Sequence, residues 1–280
     1  MLPAGPTSYP LFRMTRLPLL LLFAGTHMAA SAQSPSIAPA SDTAHPFGLQ
    51  HSMEIVYQLQ DAKGKTTGFI RNRVVKLDSE QNKKQTITTG TALLKSGHYD
   101  AKNKLLNLQD LTFRCRQDTS FTDGTSELNP DKLASFRDRI FVYSPTPVPW
   151  PNQATVGTQL PSGGITVQVS SSAVDIAKVY AKVQNRRVVG GLAPVTTPAG
   201  TFQCYKVEAE LESATVARAD MVIRTKQRVV DFYSPAVGLV KTEVYDKKGK
   251  LEQVRLLMAR NSASEQTAVP EKYKEKTKVK

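Results

Sequence analysis

The residue types that most often carry catalysis or bind metals are sparse and widely spaced in this sequence. Beyond residue 32 the histidines are His45, His51 and His98, and none has a second histidine or a carboxylate at the spacing of a zinc site such as His-Glu-x-x-His. There is no Gly-x-Ser-x-Gly elbow and no glycine-rich phosphate loop before a helix. We predict no catalytic residue, metal or cofactor, and leave open a hydrolase whose residues meet only in the fold.

Basic residues at two-residue spacing form a second candidate site. Arg224, Lys226 and Arg228 share one face of a predicted strand, because residues i and i+2 of a strand point to the same side. Such a cluster can hold phosphates or carboxylates, and the alternative is an ordinary solvated sheet face. The formal net charge of +13 also favours an anionic partner, such as an acidic polysaccharide or the lipid head groups of an envelope. No nucleic-acid-binding motif is visible, so nucleic acid is not an expected partner.

The two cysteines, Cys115 and Cys204, are the disulfide candidates. In an oxidising compartment a bridge between them would close a loop of roughly 90 residues and stabilise the fold by about 4 to 5 kcal/mol. The strand phases differ, however. Cys115 shares a face with Leu111 and Phe113, whereas Cys204 lies on the face opposite Tyr205, so two separate thiols are the other alternative.

The elements that would position these residues are mostly strands, because apolar residues recur with a period of two. The first strand covers 53–60, a second covers 67–77, and between them lies the turn Asp-Ala-Lys-Gly-Lys, which recurs in closely similar form at 100–104 and 246–250. This pattern predicts a mainly β, antiparallel fold with a strongly curved sheet, a half-barrel or a barrel. Further strands are predicted at 86–95, 105–116, 139–143, 165–170, 202–211, 218–232, 237–245 and 251–259.

Three other segments have local signatures. Residues 129–136 predict one short helix, with Asn129 as its cap and Pro130 in its first turn. Residues 173–184 fit either a helical stripe or a strand, and we predict a strand. Residues 144–151, Ser-Pro-Thr-Pro-Val-Pro-Trp-Pro, lack the donors of a central strand and are expected at an edge or an end of the sheet.

The domain organisation follows from composition. Residues 1–32 resemble an export signal, with Arg13 and Arg16 before an apolar run that is too short to span a bilayer. Residues 33–46 predict a disordered spacer, 47–261 a single antiparallel β domain and 262–280 a disordered lysine-rich tail. The chain is therefore expected to be exported and soluble, either periplasmic or extracellular, without a transmembrane segment. Its oligomeric state is not predicted.

A resemblance to a known family covers roughly residues 187–258. The segments VTTPAGTFQCYKVEAEL at 195–211 and FYSPAVGLVKTEVYDKKGKL at 232–251 resemble the C-terminal half of the TapB-like family of exported bacterial proteins, whose function is not established. Ala236 replaces an expected glycine. The resemblance implies a secreted, mainly antiparallel β domain, similar in shape to the curved half-barrels of periplasmic lipoprotein carriers, and transfers no catalytic residue.

The functional expectation is an exported, non-catalytic β module with an envelope-associated binding or structural role. Two alternatives stay open. One is a periplasmic carrier of a lipid or another apolar ligand, since curved antiparallel sheets enclose ligands when they are not fully packed. The other is the hydrolase with a site assembled from scattered residues. A hollow interior would distinguish the carrier from a filled structural module.

Overall fold

The computed structural model describes residues 45–172, 174–218 and 221–262, which lie in one compact unit. The predicted leader at 1–32, the spacer at 33–46 except its last two residues, and the tail at 262–280 except Ser262 lie outside the described residues. No helix in the described ranges is long and apolar enough to cross a bilayer.

Antiparallel strands dominate the described chain, which confirms the predicted fold class. The strands are β1 Glu54–Asp61, β2 Thr66–Gln81, β3 Thr88–Asp100, β4 Leu105–Arg116, β5 Thr119–Thr122, β6 Ile140–Thr146, β7 Val148–Pro151, β8 Gln159–Leu160, β9 Gly163–Ser171, β10 Val174–Thr197, β11 Gly200–Arg218, β12 Met221–Ser234, β13 Gly238–Tyr245 and β14 Leu251–Asn261. The short strands β5, β7 and β8 were not predicted, because they offer too few residues for an alternating pattern.

One curved sheet forms a nearly closed barrel with a single seam. Its strand order is β6-β9-β10-β11-β12-β13-β14-β1-β2-β3-β4-β5-β7, and β8 pairs with β10. The seam strands β6 and β7 are separated in sequence only by Pro147. The expectation that this proline-rich segment lies at an edge is confirmed, because proline cannot donate a hydrogen bond to a second neighbouring strand.

The helical segments are short 3-10 turns: η1 Pro46–Gly48, η2 Gly124–Glu127 and η3 Pro130–Phe136. The predicted helix corresponds to η3, and the Asn129 side chain caps it by accepting a hydrogen bond from the Asp131 backbone. The ambiguous stretch after residue 173 is part of β10, as predicted.

Apolar side chains fill one half of the barrel, here called the packed half. Its core includes Phe47, Leu49 and Tyr233, all at most 3% exposed. The Arg260 guanidinium, on the last strand, donates to the carbonyl of Gly48 at 2.7 Å and to that of Ala236 at 3.1 Å. Arg260 thereby fixes the turn that opens the domain against the strand that ends it.

The three repeated turns join β1 to β2, β3 to β4 and β13 to β14, at the end of the barrel opposite the packed half. In each turn one aspartate oxygen accepts two backbone N–H groups, as Asp61 does from Lys63 and Lys65, both at 2.9 Å. Gly64, Asn103 and Gly249 hold the positive φ that closes each turn. The predicted hairpins are therefore confirmed.

Candidate functional site

A cavity of about 1390 Å³ occupies the half of the barrel between the packed half and the repeated turns. Its walls are inward-facing side chains of most strands, and the segment that carries η2 and η3 also lines it. The inward-facing residues of β4 contribute to both halves of the barrel. Leu111 and Phe113 lie in the packed core, whereas Asn107 and Gln109 line the cavity. The barrel is therefore filled at one end and hollow at the other.

The cavity wall is amphipathic. Apolar lining residues include Leu59, Ile70 and Val244. Polar amides lie between them, among them Gln227 and Gln253. Such a wall can contact an apolar molecule and also hydrogen-bond to polar groups along it.

Arg186 lies at the floor of the cavity, where the hollow half meets the packed half. Its guanidinium stacks over Trp150, with 4.5 Å between the guanidinium carbon and the ring centroid. Nη1 donates to the carbonyl of Pro161 at 2.9 Å, but Nη2 is buried without a hydrogen-bond partner among the described residues. The side chain is 1% exposed, and burial lowers the pKa of Arg186 because the charged form is desolvated.

Asp231 is a second buried charge at the floor, on β12 between Val229 and Tyr233. The Thr242 hydroxyl donates to its carboxylate at 2.7 Å, and Arg255 Nη2 donates to the same hydroxyl oxygen at 2.9 Å. Burial raises the pKa of Asp231, while Arg255 and Arg186 oppose that rise through space. No direct ion pair joins these described groups, so their charges compensate one another only in part.

Glu127 brings another carboxyl group to the cavity, from η2. The segment is anchored by Asp123, whose carboxylate accepts the backbone N–H groups of Thr112 and Thr125 at 2.8 and 2.9 Å. Burial raises the pKa of Glu127, and its main hydrogen-bond donor is the Ser126 hydroxyl at 3.2 Å. The floor thus combines two guanidinium groups with two carboxyl groups.

The histidines do not form a catalytic constellation in the described residues. His98 lines the cavity, but its side-chain partner is Gln109 at 3.5 Å, and burial lowers the pKa of His98. His51 is exposed and contacts the Ser52 hydroxyl, and His45 lies beside η1. Within the described ranges, no group of three or more potential ligands has the geometry of a metal site.

The predicted anion patch lies on the outer face of β12. The register places Arg224, Lys226 and Arg228 beside a row of carboxylates on β11, Glu212, Glu210 and Glu208, at distances of 3.1, 3.0 and 3.3 Å. These pairs neutralise much of the charge that the spacing suggested. The arrangement agrees with the solvated sheet face that was the alternative interpretation, and an anion-binding role for the patch stays a prediction.

The cysteines are both buried thiols on separate strands. Cys115 on β4 points to the inner face with Leu111 and Phe113, whereas Cys204 on β11 packs with Val237 and Val240 in a different cluster. Opposite faces of one sheet keep the two sulfur atoms apart. This placement favours two separate thiols over a bridge, because a bridge requires Cβ atoms about 4 Å apart that point toward each other.

Sequence reasoning missed the floor residues Arg186, Asp231 and Arg255. A clear signal existed for two of them: Asp231 shares the inner phase of Val229 and Tyr233, and Arg255 shares that of Leu257. A charged residue on the otherwise apolar face of a strand indicates a buried ionic group or an interior that contains water. For Arg186 the signal was weaker: it shares the inner phase of Val188, but a β-bulge interrupts the alternation with Val183 before it.

Comparison with known proteins places the chain by family and by fold. Residues 51–257 match the model of a family described as DUF3108-like. A chain from Parabacteroides distasonis ATCC 8503, described as a "putative lipoprotein", is similar with a TM-score of 0.60 and 20% identity, over 78% of this chain and 97% of that one.

A second solved structure comes from Bacteroides fragilis NCTC 9343 and is described as a "putative exported protein with YmcC-like fold". Its TM-score is 0.56 at 21% identity, over 78% of this chain and all of that one. No curated protein matches the chain. Identities this low establish a common fold and transfer no activity.

Proposed function

We propose that this chain, which belongs to the DUF3108-like family, is an exported, envelope-associated and non-catalytic binding protein that holds an amphipathic ligand inside its barrel. The descriptions of the two structural neighbours support export, as does the N-terminal sequence pattern. The resemblance of residues 187–258 to the TapB-like family stays a hypothesis that agrees with export.

The observation that carries the proposal is the cavity of about 1390 Å³. Pockets for small molecules usually measure about 300 to 1,000 Å³, so this interior has room for a large ligand. A structural module would gain stability by filling this space, since unfilled interiors sacrifice dispersion contacts. The packed half shows that this fold can be filled.

The chemistry of the lining indicates the kind of ligand. Apolar side chains such as Leu59, Ile70 and Val244 favour a hydrocarbon or ring system, and the amides of Gln227 and Gln253 favour polar groups along it. The uncompensated part of the Arg186 charge favours a polar or anionic group toward the floor. The sequence suggested a carrier of apolar ligands as one alternative. The polar and charged lining residues favour an amphipathic ligand instead.

The non-catalytic part of the proposal depends on His98. Among the described residues no carboxylate or hydroxyl is hydrogen-bonded to this imidazole, and such bonds are the contacts by which nucleophilic catalysis orients and uses a base. Binding without chemistry needs only the cavity and its polar groups.

The test is a fluorescence titration of the exported chain with anilinonaphthalene sulfonate, an amphipathic anion. We expect saturable binding of about one probe per chain. The variant Ser213→Phe/Thr225→Phe replaces two inward-facing residues that are paired across the adjacent strands β11 and β12. The two phenyl groups would occupy space in the cavity. Affinity should fall by about tenfold or more, since the probe and the phenyl groups compete for the same space.

The matched control adds two phenyl groups to the outer face, with Thr91→Phe on β3 and Val254→Phe on β14. Neighbouring residues of both positions, Ala92 and Gln253, face the interior, so Thr91 and Val254 face outward. This control should bind like the wild type. Equal binding by the filled and the control variants, with both folded, would place the probe elsewhere and would contradict the proposal.

A further inference from the structure

The three repeated turns form one basic rim beside the cavity. They close neighbouring hairpins, since β13, β14, β1, β2, β3 and β4 are consecutive in the sheet, and successive tips lie about 10 Å apart, or two strand spacings. Their seven lysines are exposed, and we call them the mouth collar: Lys63, Lys65, Lys102, Lys104, Lys247, Lys248 and Lys250.

The mouth collar is free to meet a partner. None of its lysines forms an ion pair within the described part of the chain. The aspartate of each turn is occupied by backbone N–H groups, as Asp246 is by those of Lys248 and Lys250 at 2.8 Å. The positive charge of the collar therefore exceeds the negative charge of its turns and faces solvent, unlike the ion-paired Arg224, Lys226 and Arg228.

The cavity reaches the surface next to this collar. Thr67, two residues beyond Lys65, and Leu106, two residues beyond Lys104, line the cavity and are exposed. A partner seated on the collar would therefore lie beside the entrance to the cavity.

Exposed apolar side chains flank the collar on both sides in the sheet. At the start of β12, beside β13, Met221 and Ile223 are 46% and 69% exposed. At the other end, Leu105 and Leu106 are 48% and 62% exposed at the start of β4. A basic region bordered by apolar side chains matches the two layers of a bilayer interface, where anionic head groups cover acyl chains.

We infer that the mouth collar docks the barrel onto an anionic lipid bilayer, with the cavity entrance toward the lipid and the flanking apolar side chains inserted between head groups. An acidic polysaccharide would attract the lysines equally well, but it offers no apolar layer for Met221 and Ile223. The inference stands apart from the proposed ligand, because docking requires the rim and not the cavity.

The test is cosedimentation of the chain with vesicles of equimolar phosphatidylglycerol and phosphatidylcholine at low salt. We expect binding that weakens as salt rises and is absent on pure phosphatidylcholine. Lys63→Gln/Lys102→Gln/Lys248→Gln, one change in each turn, should weaken binding by roughly 100-fold, since each lysine near an anionic surface contributes about fivefold. Met221→Ser/Ile223→Ser should also weaken it.

The matched control is Arg224→Gln/Lys226→Gln/Arg228→Gln, which removes the same formal charge from the ion-paired outer face. It should bind vesicles as the wild type does. Equal weakening by the control and the collar variant would show that net charge or the outer-face patch, and not the collar, governs vesicle binding, and would overturn the inference. Binding to alginate that the collar lysines control, without vesicle binding, would replace the bilayer with a polysaccharide. Vesicle binding by the wild type, together with no saturable uptake of anilinonaphthalene sulfonate by the same protein, would refute the proposed function and leave the docking inference standing.

Discussion

The guanidinium of Arg186 stacks on the indole of Trp150, with 4.5 Å between the guanidinium carbon and the ring centroid. Trp150 Nε1 in turn donates to the Thr122 hydroxyl at 3.0 Å, and Arg186 Nη1 donates to the Pro161 carbonyl. These contacts connect β10 with β7 and β5, close to the seam of the barrel. The floor of the cavity is thus also a point where the barrel is held together.

Replacing Arg186 tests this structural role. Arg186→Leu removes the cation–π stack on Trp150 and the hydrogen bond to the Pro161 carbonyl, so we expect a loss of about 2 kcal/mol in the free energy of unfolding. Urea unfolding followed by the fluorescence of Trp150, the only tryptophan in the chain, gives the value. The neighbouring Arg187 is exposed, and Arg187→Leu should change stability by less than about 0.5 kcal/mol. Similar values for both variants would contradict the assignment.

The buried carboxyl group of Asp231 gives a prediction about pH. Burial raises its pKa in the folded chain above the unfolded value of about 3.9, so the folded state binds the proton more tightly. The free energy of unfolding of the wild type, minus that of Asp231→Asn, should therefore fall as pH rises from about 4 through the raised pKa. Above that pKa the difference between the two proteins should stay constant. Unfolding of both proteins in urea across this range measures the difference.

The control for the pH experiment is Asp246→Asn in an exposed turn. Hydrogen bonds from the Lys250 and Lys248 backbones lower the pKa of Asp246. Its stabilisation is present above the unfolded pKa and is lost only as pH falls through the lower folded pKa, so the difference should be level above about pH 4. If the stability difference between the wild type and Asp231→Asn is also constant above about pH 4, the pKa of the Asp231 carboxyl group is not raised in the folded chain.

The repeated turns predict which residues Gly249 tolerates. Its φ is +78°, and a Cβ there would meet no atom within 4 Å, so the cost of Gly249→Ala is conformational and should be about 1 kcal/mol. Gly249→Asn should cost less, because Asn103 holds a φ of +64° at the same place in the second turn. Thermal unfolding ranks the three proteins, and an alanine variant as stable as the wild type would be inconsistent with a strained position.

The cysteines should be unreactive in the folded chain. Burial raises the pKa of Cys204 to about 12, and the thiolate is the reactive form. We expect slow reaction of the native protein with a thiol reagent at neutral pH and two thiols per chain after unfolding without reductant. Finding no thiol in the unfolded chain would demonstrate the disulfide instead.

The strands were predictable because each has one face against the interior. Leu111, Phe113 and Cys115 alternate with polar residues in β4, and its predicted bounds agree with the structure. The edge position of the proline-rich segment followed from missing donors alone. Local rules of this kind need no knowledge of distant contacts.

The hollow interior was not predictable in the same way. Asn107 and Gln109 share the phase of Leu111, yet a polar residue on an inner phase also fits a strand end that reaches solvent. Whether opposite walls of a barrel meet depends on strand number and stagger, which a single sequence does not specify. The ion pairs of the predicted anion patch depended likewise on the register between β11 and β12.

The most direct test of the account is native mass spectrometry of the chain purified from the compartment to which it is exported. The account predicts an ion heavier than the mature chain by one non-covalent ligand of discrete mass, which is lost on unfolding and absent from Ser213→Phe/Thr225→Phe. A wild-type ion with the mass of the chain alone, together with no saturable uptake of anilinonaphthalene sulfonate, would contradict it.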